Sequence, residues 1–301
     1  MKKFLLMGLV LLFLSAFVFA EEAKKKGKAK EDKKSKEMAF AHALFPANGR
    51  INPNEGTVEA WVSLSYSADN VMLTSRSSVR PMNFFTFVHR DELKKDGKKK
   101  SESEDPKMNI HIWTGQEQSL KNRLMFGSNI FSLPRKNGDF IMREISVDIA
   151  EFEWKKGEWY FVAFGWKKTE SGFDTFLFVQ GKRIDQSFPE DKEVSFPTDL
   201  DDFVISMGDN NRYAGGKGAI EVLKISKKFK TEEELNASMN GTLAKDESTL
   251  FLFDQAAVAG MKKSNSTSIL GKDMKVDEKG VLIGPHKIIS GKKGKAIQFF
   301  E

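Results

Sequence analysis

The chain of 301 residues is 40% hydrophobic and 30% charged, which supplies enough apolar material for a packed core and excludes disorder throughout. It contains no cysteine, so disulfides, thiolate metal sites, a cysteine nucleophile and lipid attachment through a cysteine are excluded. The net charge of +6 comes mostly from the first 37 residues, and the nearly neutral remainder argues against a nucleic-acid-binding function.

Residues 1–20 have the pattern of a signal peptide. Two lysines precede an apolar run over residues 4–19, and a small residue stands at the candidate cleavage site, Ala20. The run is shorter than the roughly 20 residues that a membrane-spanning helix needs. We therefore predict cleavage after Ala20, a periplasmic or secreted location, and no transmembrane segment in the mature chain.

Residues 21–37 form a low-complexity segment with 8 lysines and 5 acidic residues. This composition predicts a flexible, solvated linker. A contact with anionic lipid, peptidoglycan or an acidic partner is the alternative interpretation. A single domain is predicted over the remaining residues, 38–301.

Short apolar runs separated by turn residues predict successive β-strands through this domain. The predicted strands are 57–64, 71–74, 84–89, 108–113, 123–126, 159–166, 173–179, 182–186, 203–207 and 219–225.

Two local signals refine this strand pattern. Gln180 and Gly181 predict a two-residue hairpin turn, because glycine tolerates a positive φ. Thr231 followed by Glu234 matches a capping box, and it predicts one short helix that ends before Gly241.

Three segments occur in a characteristic order along the chain. They are GTVEAWVSL at 56–64, KGEWYFVAFGW running to FDTFLFVQGKRID, and FVISMGDNNRYAGGKGAIEVLKISKKFKTEEEL at 203–235. Together they resemble laminin G-like jelly-roll domains of the concanavalin A-like superfamily. The resemblance implies an all-β fold, a two-sheet antiparallel β-sandwich with one short helix. It says little about the ligand, because this sandwich hosts many functions.

The C-terminal tail contains two further segments that resemble the opening strand pair of such domains. TLFLFD occupies 249–254 and GKKGKAIQF occupies 291–299, so strands are predicted at 249–254 and 295–300. They either close the chain's own sheet, as in a circularly permuted domain, or add to the sheet of a neighbouring copy. Self-closure is favoured because closing a loop costs less than ordering a partner. A truncated second domain is the third interpretation.

Sugar binding requires an aromatic platform beside hydrogen-bonding groups. Trp113, Trp166 and Tyr213 are the candidate platforms, since they are predicted at strand ends or in loops, although packing in the core is the favoured interpretation of each. Asn210 and Asn211 are the neighbouring candidates for polar contacts with the ligand.

Laminin G-like domains often hold one Ca²⁺ at the rim of the sandwich, so the resemblance also implies a candidate metal site. Asp209, with Asp199 or Asp201, would supply hard oxygen ligands. The favoured interpretation is that these residues form turns between strands. No cofactor is therefore expected, with Ca²⁺ as the alternative.

Hydrolases of this superfamily resemble one another in a strand that carries alternating acids. The nearest match is Asp148, Glu151 and Glu153, but Lys155 stands where a third acid would be. The favoured interpretation is the polar face of an edge strand, and no enzymatic activity is expected.

The sequence thus predicts an exported, non-catalytic domain that recognises a glycan or a protein at the cell envelope. The alternative is a structural subunit of an envelope or periplasmic filament assembly, such as a flagellar sheath, self-associating through its C-terminal strands. A glycoside hydrolase is the second alternative.

Overall fold

Two β-sheets packed face to face form the body of the protein. The computed structural model describes residues 42–64, 83–89, 108–113, 123–128, 143–189, 196–208, 218–264, 276 and 278–299. The predicted signal peptide, the predicted linker at 21–37 and the predicted strand at 71–74 lie outside these residues.

The described residues form sixteen strands, two α-helices and one 3-10 helix. The strands are β1 (His42–Pro46), β2 (Glu55–Leu64), β3 (Asn83–His89), β4 (Met108–Trp113), β5 (Arg123–Ser128), β6 (Arg143–Asp148), β7 (Trp159–Lys168), β8 (Gly172–Val179), β9 (Lys182–Pro189), β10 (Phe203–Gly208), β11 (Gly218–Ser226), β12 (Thr249–Phe253), β13 (Lys262–Ser264), β14 (Val281–Ile283), β15 (His286–Ser290) and β16 (Lys295–Phe299). The helices are α1 (Glu232–Asn240), α2 (Gln255–Gly260) and the 3-10 helix Ile149–Phe152.

Sheet A has the strand order β13-β14-β1-β10-β3-β4-β5-β6. Sheet B has the order β15-β16-β11-β2-β7-β8-β9, and β12 also pairs with β11. The described pairings are antiparallel apart from that of β13 with β14. The all-β, two-sheet sandwich predicted from the sequence is confirmed.

Phenylalanine dominates the core between the two sheets, which contains 13 of the 26 phenylalanines of the chain. The ring of Phe164 in sheet B packs against Phe126 and Phe85 of sheet A, with centroids 4.3 and 5.4 Å apart. At the other end of the sandwich, Phe45 of β1 packs against Phe251 of β12 at 4.8 Å. Alternate residues of each strand point to opposite faces, so each strand contributes every second side chain to this core.

Sheet B is also buried on its outer face. Trp61 and Phe161 lie there, together with Leu235 of helix α1 and Leu243 of the following loop. A buried ion pair holds this cover, because Lys230 Nζ lies 2.7 Å from a carboxylate oxygen of Glu59. The inner strands of sheet B are therefore apolar on both faces, which obscures the simple alternation of a half-buried strand.

Helix α1 begins and ends where the sequence predicted. Thr231 Oγ1 accepts a hydrogen bond from the Glu234 N–H, and the Glu234 carboxylate accepts one from the Thr231 N–H. Gly241 caps its C-terminus. The predicted hairpin turn is also present, with positive φ at both Gln180 and Gly181.

Of the ten strands predicted before the C-terminal tail, nine lie within the described residues, and each corresponds to a strand. The sequence prediction missed β1, β6, β13, β14, β15 and helix α2. It predicted only one helix, and that count is wrong. Residues 255–260 form α2 because Asp254 caps it, its side chain accepting a hydrogen bond from the Ala257 N–H.

Both tail segments are strands of this chain's own sheet B. Residues 297–299 of β16 pair with residues 218–220 of β11. Residues 249–253 of β12 pair with residues 223–226 of the same strand. The C-terminal tail therefore fills one edge of β11 from both ends.

Candidate binding site: a cleft along strand β12

A cleft of about 450 Å³ opens beside strand β12. We call it the tail cleft, and it is defined by residues 249–252 of β12 with Phe45, Arg50, Ala257, Glu278 and Lys279. Most of these residues belong to the C-terminal tail, so the segment that completes sheet B also builds the cleft.

The residues that line the cleft indicate that it follows the edge of β12 that faces away from β11. It touches four consecutive residues, 249–252, whose side chains alternate between the two faces of the strand. A cleft that contacts both sets must lie at the strand's edge. No described strand pairs with that edge. Main-chain donors and acceptors of β12 therefore border the cleft.

The floor of the cleft is apolar. Phe251 is only 8% exposed and packs against Phe45, while Leu250 and Leu252 on the same strand are half-buried. Ala257 of helix α2 forms part of the facing wall. Small and aliphatic side chains leave room here for apolar groups of a ligand.

Arg50 forms the polar wall of the cleft. Its Nη2 donates to a Glu278 carboxylate oxygen at 2.7 Å and to the Glu278 carbonyl at 2.9 Å, and its Nη1 donates to the Pro46 carbonyl at 3.2 Å. The guanidinium carbon lies 5.6 Å from the centroid of Phe251. These contacts hold Arg50 in place and cover one face of the ring.

Asp246 lies at the other end of the cleft and is ionised through its local contacts. Burial disfavours the charge, but hydrogen bonds from Lys224, Ser248 and Thr249 outweigh burial and hold the pKa of Asp246 well below its usual range. The Lys224 ammonium lies 2.5 Å from one carboxylate oxygen. Asp246 is thus fixed as an anion beside the first residue of β12.

Trp166 does not provide a sugar platform: the favoured interpretation, packing in the core, is confirmed for this residue. The ring is 0% exposed in the core, and its Nε1 donates to the Asn52 carbonyl at 3.0 Å. A Cβ at Gly56 would lie 2.4 Å from the ring, so glycine is required on the neighbouring strand. The sequence pattern placed Trp166 at a strand end, but β7 continues to Lys168 and buries it.

The other predicted sugar-binding residues are not brought together by the described structure. Trp113 is the last residue of β4, where only the backbone is described. Asn210, Asn211 and Tyr213 lie outside the described residues. Their role in binding stays a prediction.

The predicted calcium ligands are described only in part. Asp199 Oδ1 accepts the Asp201 N–H at 2.9 Å, and Asp201 Oδ1 accepts a hydrogen bond from Asn48 Nδ2 at 2.6 Å. The first bond is typical of a turn, the second joins this turn to the loop after β1, and Asp209 lies outside the described residues. No group of three or more His, Asp or Glu side chains that could hold a metal occurs in the described part of the chain.

Of the acidic residues considered for hydrolysis, Asp148 ends strand β6, while Glu151 and Glu153 do not lie on a strand. Asp148 caps the 3-10 helix that contains Glu151, and Glu153 ends that helix with a φ of +49°. Glu151 instead pairs with Lys182 at 2.5 Å. The expectation of an edge-strand polar face is also wrong, because the chain leaves the sheet after Asp148.

Sequence comparisons assign no family to this chain. No protein-family model matches it, and no curated protein matches it. Neither described helix is long and apolar enough to cross a bilayer.

Solved structures with a similar fold include the mouse laminin α1 chain, domains LG4-5. The identity is 10% and the TM-score 0.37, over 72% of this chain and 44% of that one. For the leech intramolecular trans-sialidase complexed with 2,7-anhydro-Neu5Ac, the identity is 13% and the TM-score 0.37, over 69% of this chain and 28% of that one. For the CBM40 of Ruminococcus gnavus IT-sialidase, the identity is 13% and the TM-score 0.36, over 66% of this chain and 94% of that one.

The chain spans less than half the length of the laminin and leech chains that it matches. These similarities do not assign a family, a ligand or an activity to this chain.

Sequence reasoning missed the tail cleft. TLFLFD predicted a strand, but no signal in it predicted that one edge would stay unpaired. The available signal was the segment QAAVAG at 255–260, which follows TLFLFD directly. A helix that starts directly after a strand limits which further strands can pair with that strand.

Proposed function

We propose that this protein is an exported, non-catalytic binding domain of the cell envelope, and that it binds an extended segment of a partner protein in the tail cleft. The observation that carries the proposal is the edge of β12 along the cleft, with which no strand in the described part of the chain pairs. An added strand would pair with this edge through its main chain and place alternate side chains in the cleft.

The composition of the cleft favours a protein over a glycan. Glycan recognition uses an open aromatic face, whereas the ring of Phe251 is covered by Arg50 and almost fully buried. The apolar floor suits aliphatic side chains of a peptide. Arg50 and Asp246, which also line the cleft, would contact polar groups of the peptide that flank its aliphatic side chains.

Self-association by exchange of the tail strands is less favourable than binding of a separate segment. β12 and β16 already pair with β11 of the same chain. An exchange would first break these pairings and expose Phe253 and Phe299, each 1% exposed. A partner segment in the cleft requires neither step.

Export places the proposed binding event in the periplasm or outside the cell. Mass spectrometry of the protein purified from its native envelope tests this directly. We expect a mature chain that begins at Glu21, following cleavage after Ala20. A chain that retains residues 1–20 would contradict export with cleavage.

Site-specific crosslinking tests the cleft itself. The chain has no cysteine, so a Leu250→Cys variant carries one thiol, which a thiol-reactive photocrosslinker will label beside the cleft. A Lys263→Cys variant on β13 of sheet A is the matched control. Crosslinking in intact envelopes should join Leu250→Cys, but not the control, to one defined protein.

A variant that fills the cleft completes this test. Adding Ala257→Trp to Leu250→Cys should abolish the crosslink while the far-ultraviolet circular dichroism stays unchanged. Equal crosslinks from both cysteine positions, or a crosslink from position 250 to glycan alone, would overturn the proposal.

A further inference from the structure

Strand β15 closes sheet B on the side of the C-terminal hairpin. It pairs with β16 along its whole length, from His286 opposite Phe299 to Ser290 opposite Lys295. No other described strand pairs with its far edge. This edge is separate from the tail cleft, which borders β12.

The side chain of Ile288 stands out on this strand. It is 45% exposed, and it is the one large hydrophobic residue that is exposed among those described. Its cross-strand neighbour Ile297 is 1% exposed in the core. Directly opposed residues share a face of the sheet, so Ile288 extends the apolar inner face onto the edge strand β15.

The hairpin around Ile288 is basic. Residues 284–299 contain four lysines and no aspartate or glutamate. Lys287, Lys293 and Lys295 are exposed. Lys287 and Ile288 are adjacent on β15, so their side chains lie on opposite faces of the sheet. The edge therefore combines an apolar position and a cationic position on adjacent residues.

The hairpin turn is held in one conformation. Both oxygens of the buried Glu221 carboxylate accept main-chain hydrogen bonds, from the Lys292 N–H at 2.8 Å and the Lys293 N–H at 2.6 Å. Lys292 Nζ lies 3.8 Å from the centroid of Trp61. The edge is thus preformed, which lowers the entropy cost of binding.

We propose that the free edge of β15 binds an acidic, extended polypeptide segment with alternating apolar and acidic residues. In this arrangement an apolar side chain of the partner lies beside Ile288 and a carboxylate lies beside Lys287. The main chain of the partner continues sheet B by one strand. The occupant is a different polypeptide, because two copies of the hairpin would bring their lysines together, and like charges opposed across strands are destabilising.

Fluorescence anisotropy with synthetic peptides tests this inference on the mature full-length chain. The probe is a fluorescein-labelled peptide of four Val-Glu repeats. One control peptide has four Val-Lys repeats, and the other has the composition of the probe arranged as a block of valines and a block of glutamates. We expect binding of the alternating acidic peptide alone, weakening as salt is raised.

Matched variants locate the binding edge. Lys287→Glu and Ile288→Glu should each raise the Kd for the Val-Glu peptide at least tenfold, while Lys263→Glu on β13 leaves it unchanged. All three positions are at least partly exposed, so the fold should persist, and circular dichroism checks this. Lys287→Gln should give an intermediate Kd, which separates loss of attraction from repulsion.

Four outcomes of the binding experiments would overturn the inference. They are the absence of binding by the unmodified chain, equal binding of the block peptide, equal loss in the Lys263→Glu control, and binding of phosphatidylglycerol vesicles in place of the peptide. Sedimentation of the unmodified chain as a dimer that Ile288→Glu dissociates would also overturn it, because the edge would then hold a second copy.

Discussion

The two C-terminal strands β12 and β16 lie end to end along the same edge of β11, but among the strands that the structure describes only β16 has another strand on its far side. β15 covers β16 over five residues, whereas the corresponding side of β12 borders the tail cleft. Both strands bury phenylalanines in the same core. The contrast shows that core packing alone does not decide whether a strand edge is closed.

A bulge in β11 separates the two halves. The pairing of β11 with β2 shifts register between Ile220 and Val222, so Glu221 has no partner there. A bulge re-aims the side chain of its extra residue. The Glu221 carboxylate reaches the 291–294 turn and holds the β15–β16 hairpin in place. The β12 half has helix α2 in place of a hairpin.

Truncation of the two phenylalanines of β12 should give the largest effect. Phe253→Ala should cost about 3–5 kcal/mol of unfolding free energy, since it leaves a cavity in a closed core. Phe251→Ala should cost clearly less, because one side of that ring borders the cleft and less buried contact is lost. Urea denaturation of both variants measures the difference, and equal losses would contradict an open β12 edge.

Loss of the Glu221 carboxylate should have the next largest effect. Glu221→Ala should cost about 2 kcal/mol, because the N–H groups of Lys292 and Lys293 lose their acceptor. Glu247→Ala, in the exposed loop before β12, is the control and should change stability by less than about 0.5 kcal/mol. If Glu221→Ala were as mild as its control, the hairpin would be held by pairing alone.

The pH dependence of stability tests the contact between Asp246 and Lys224 beside β12. The folded-state pKa of Asp246 is lowered from its ordinary value of 3.8, so its stabilising effect is complete above that value. The effect is lost as the pH falls from there toward the lowered pKa. Melting temperatures measured through this acid range should therefore fall less steeply for Asp246→Asn than for the unmodified chain. Identical slopes would show that the Lys224 contact does not stabilise the fold.

The ion pair at the mouth of the cleft should matter least. The Glu278 side chain is 81% exposed, and exposed pairs contribute about 1 kcal/mol or less. Glu278→Gln should lower unfolding free energy by no more than this amount in urea denaturation. A loss comparable with that of Phe253→Ala would mean that Arg50 and Glu278 close the β12 edge as a structural element.

Most strands could be predicted because their periodicity and turn residues are local properties. The turn at Gln180 and Gly181 and the capping box at Thr231 depend on a few adjacent residues, so both predictions are confirmed. β15 was missed because its sequence, HKIIS, lacks the alternation of a half-buried strand. Its exposure on an edge is a property of the sheet, and no window of residues encodes it.

The candidate site was less predictable than the fold. Trp166 has the aromatic ring that a sugar platform requires. Its burial depends on Gly56, which lies on another strand more than 100 residues away in the sequence. Arg50 and Glu278 are likewise distant in sequence and meet only at the cleft. Residue type suggested a chemistry, but only three-dimensional contacts decided which side chains are accessible.

The sequence by itself determined a β-sandwich, because hydrophobic periodicity and turn chemistry act over a few residues and favour the same fold at each point. The tertiary structure alone decided which edges of the sandwich are closed. That outcome depends on long-range partners, such as Glu221 with the 291–294 turn, whose contacts form only once both sheets are packed.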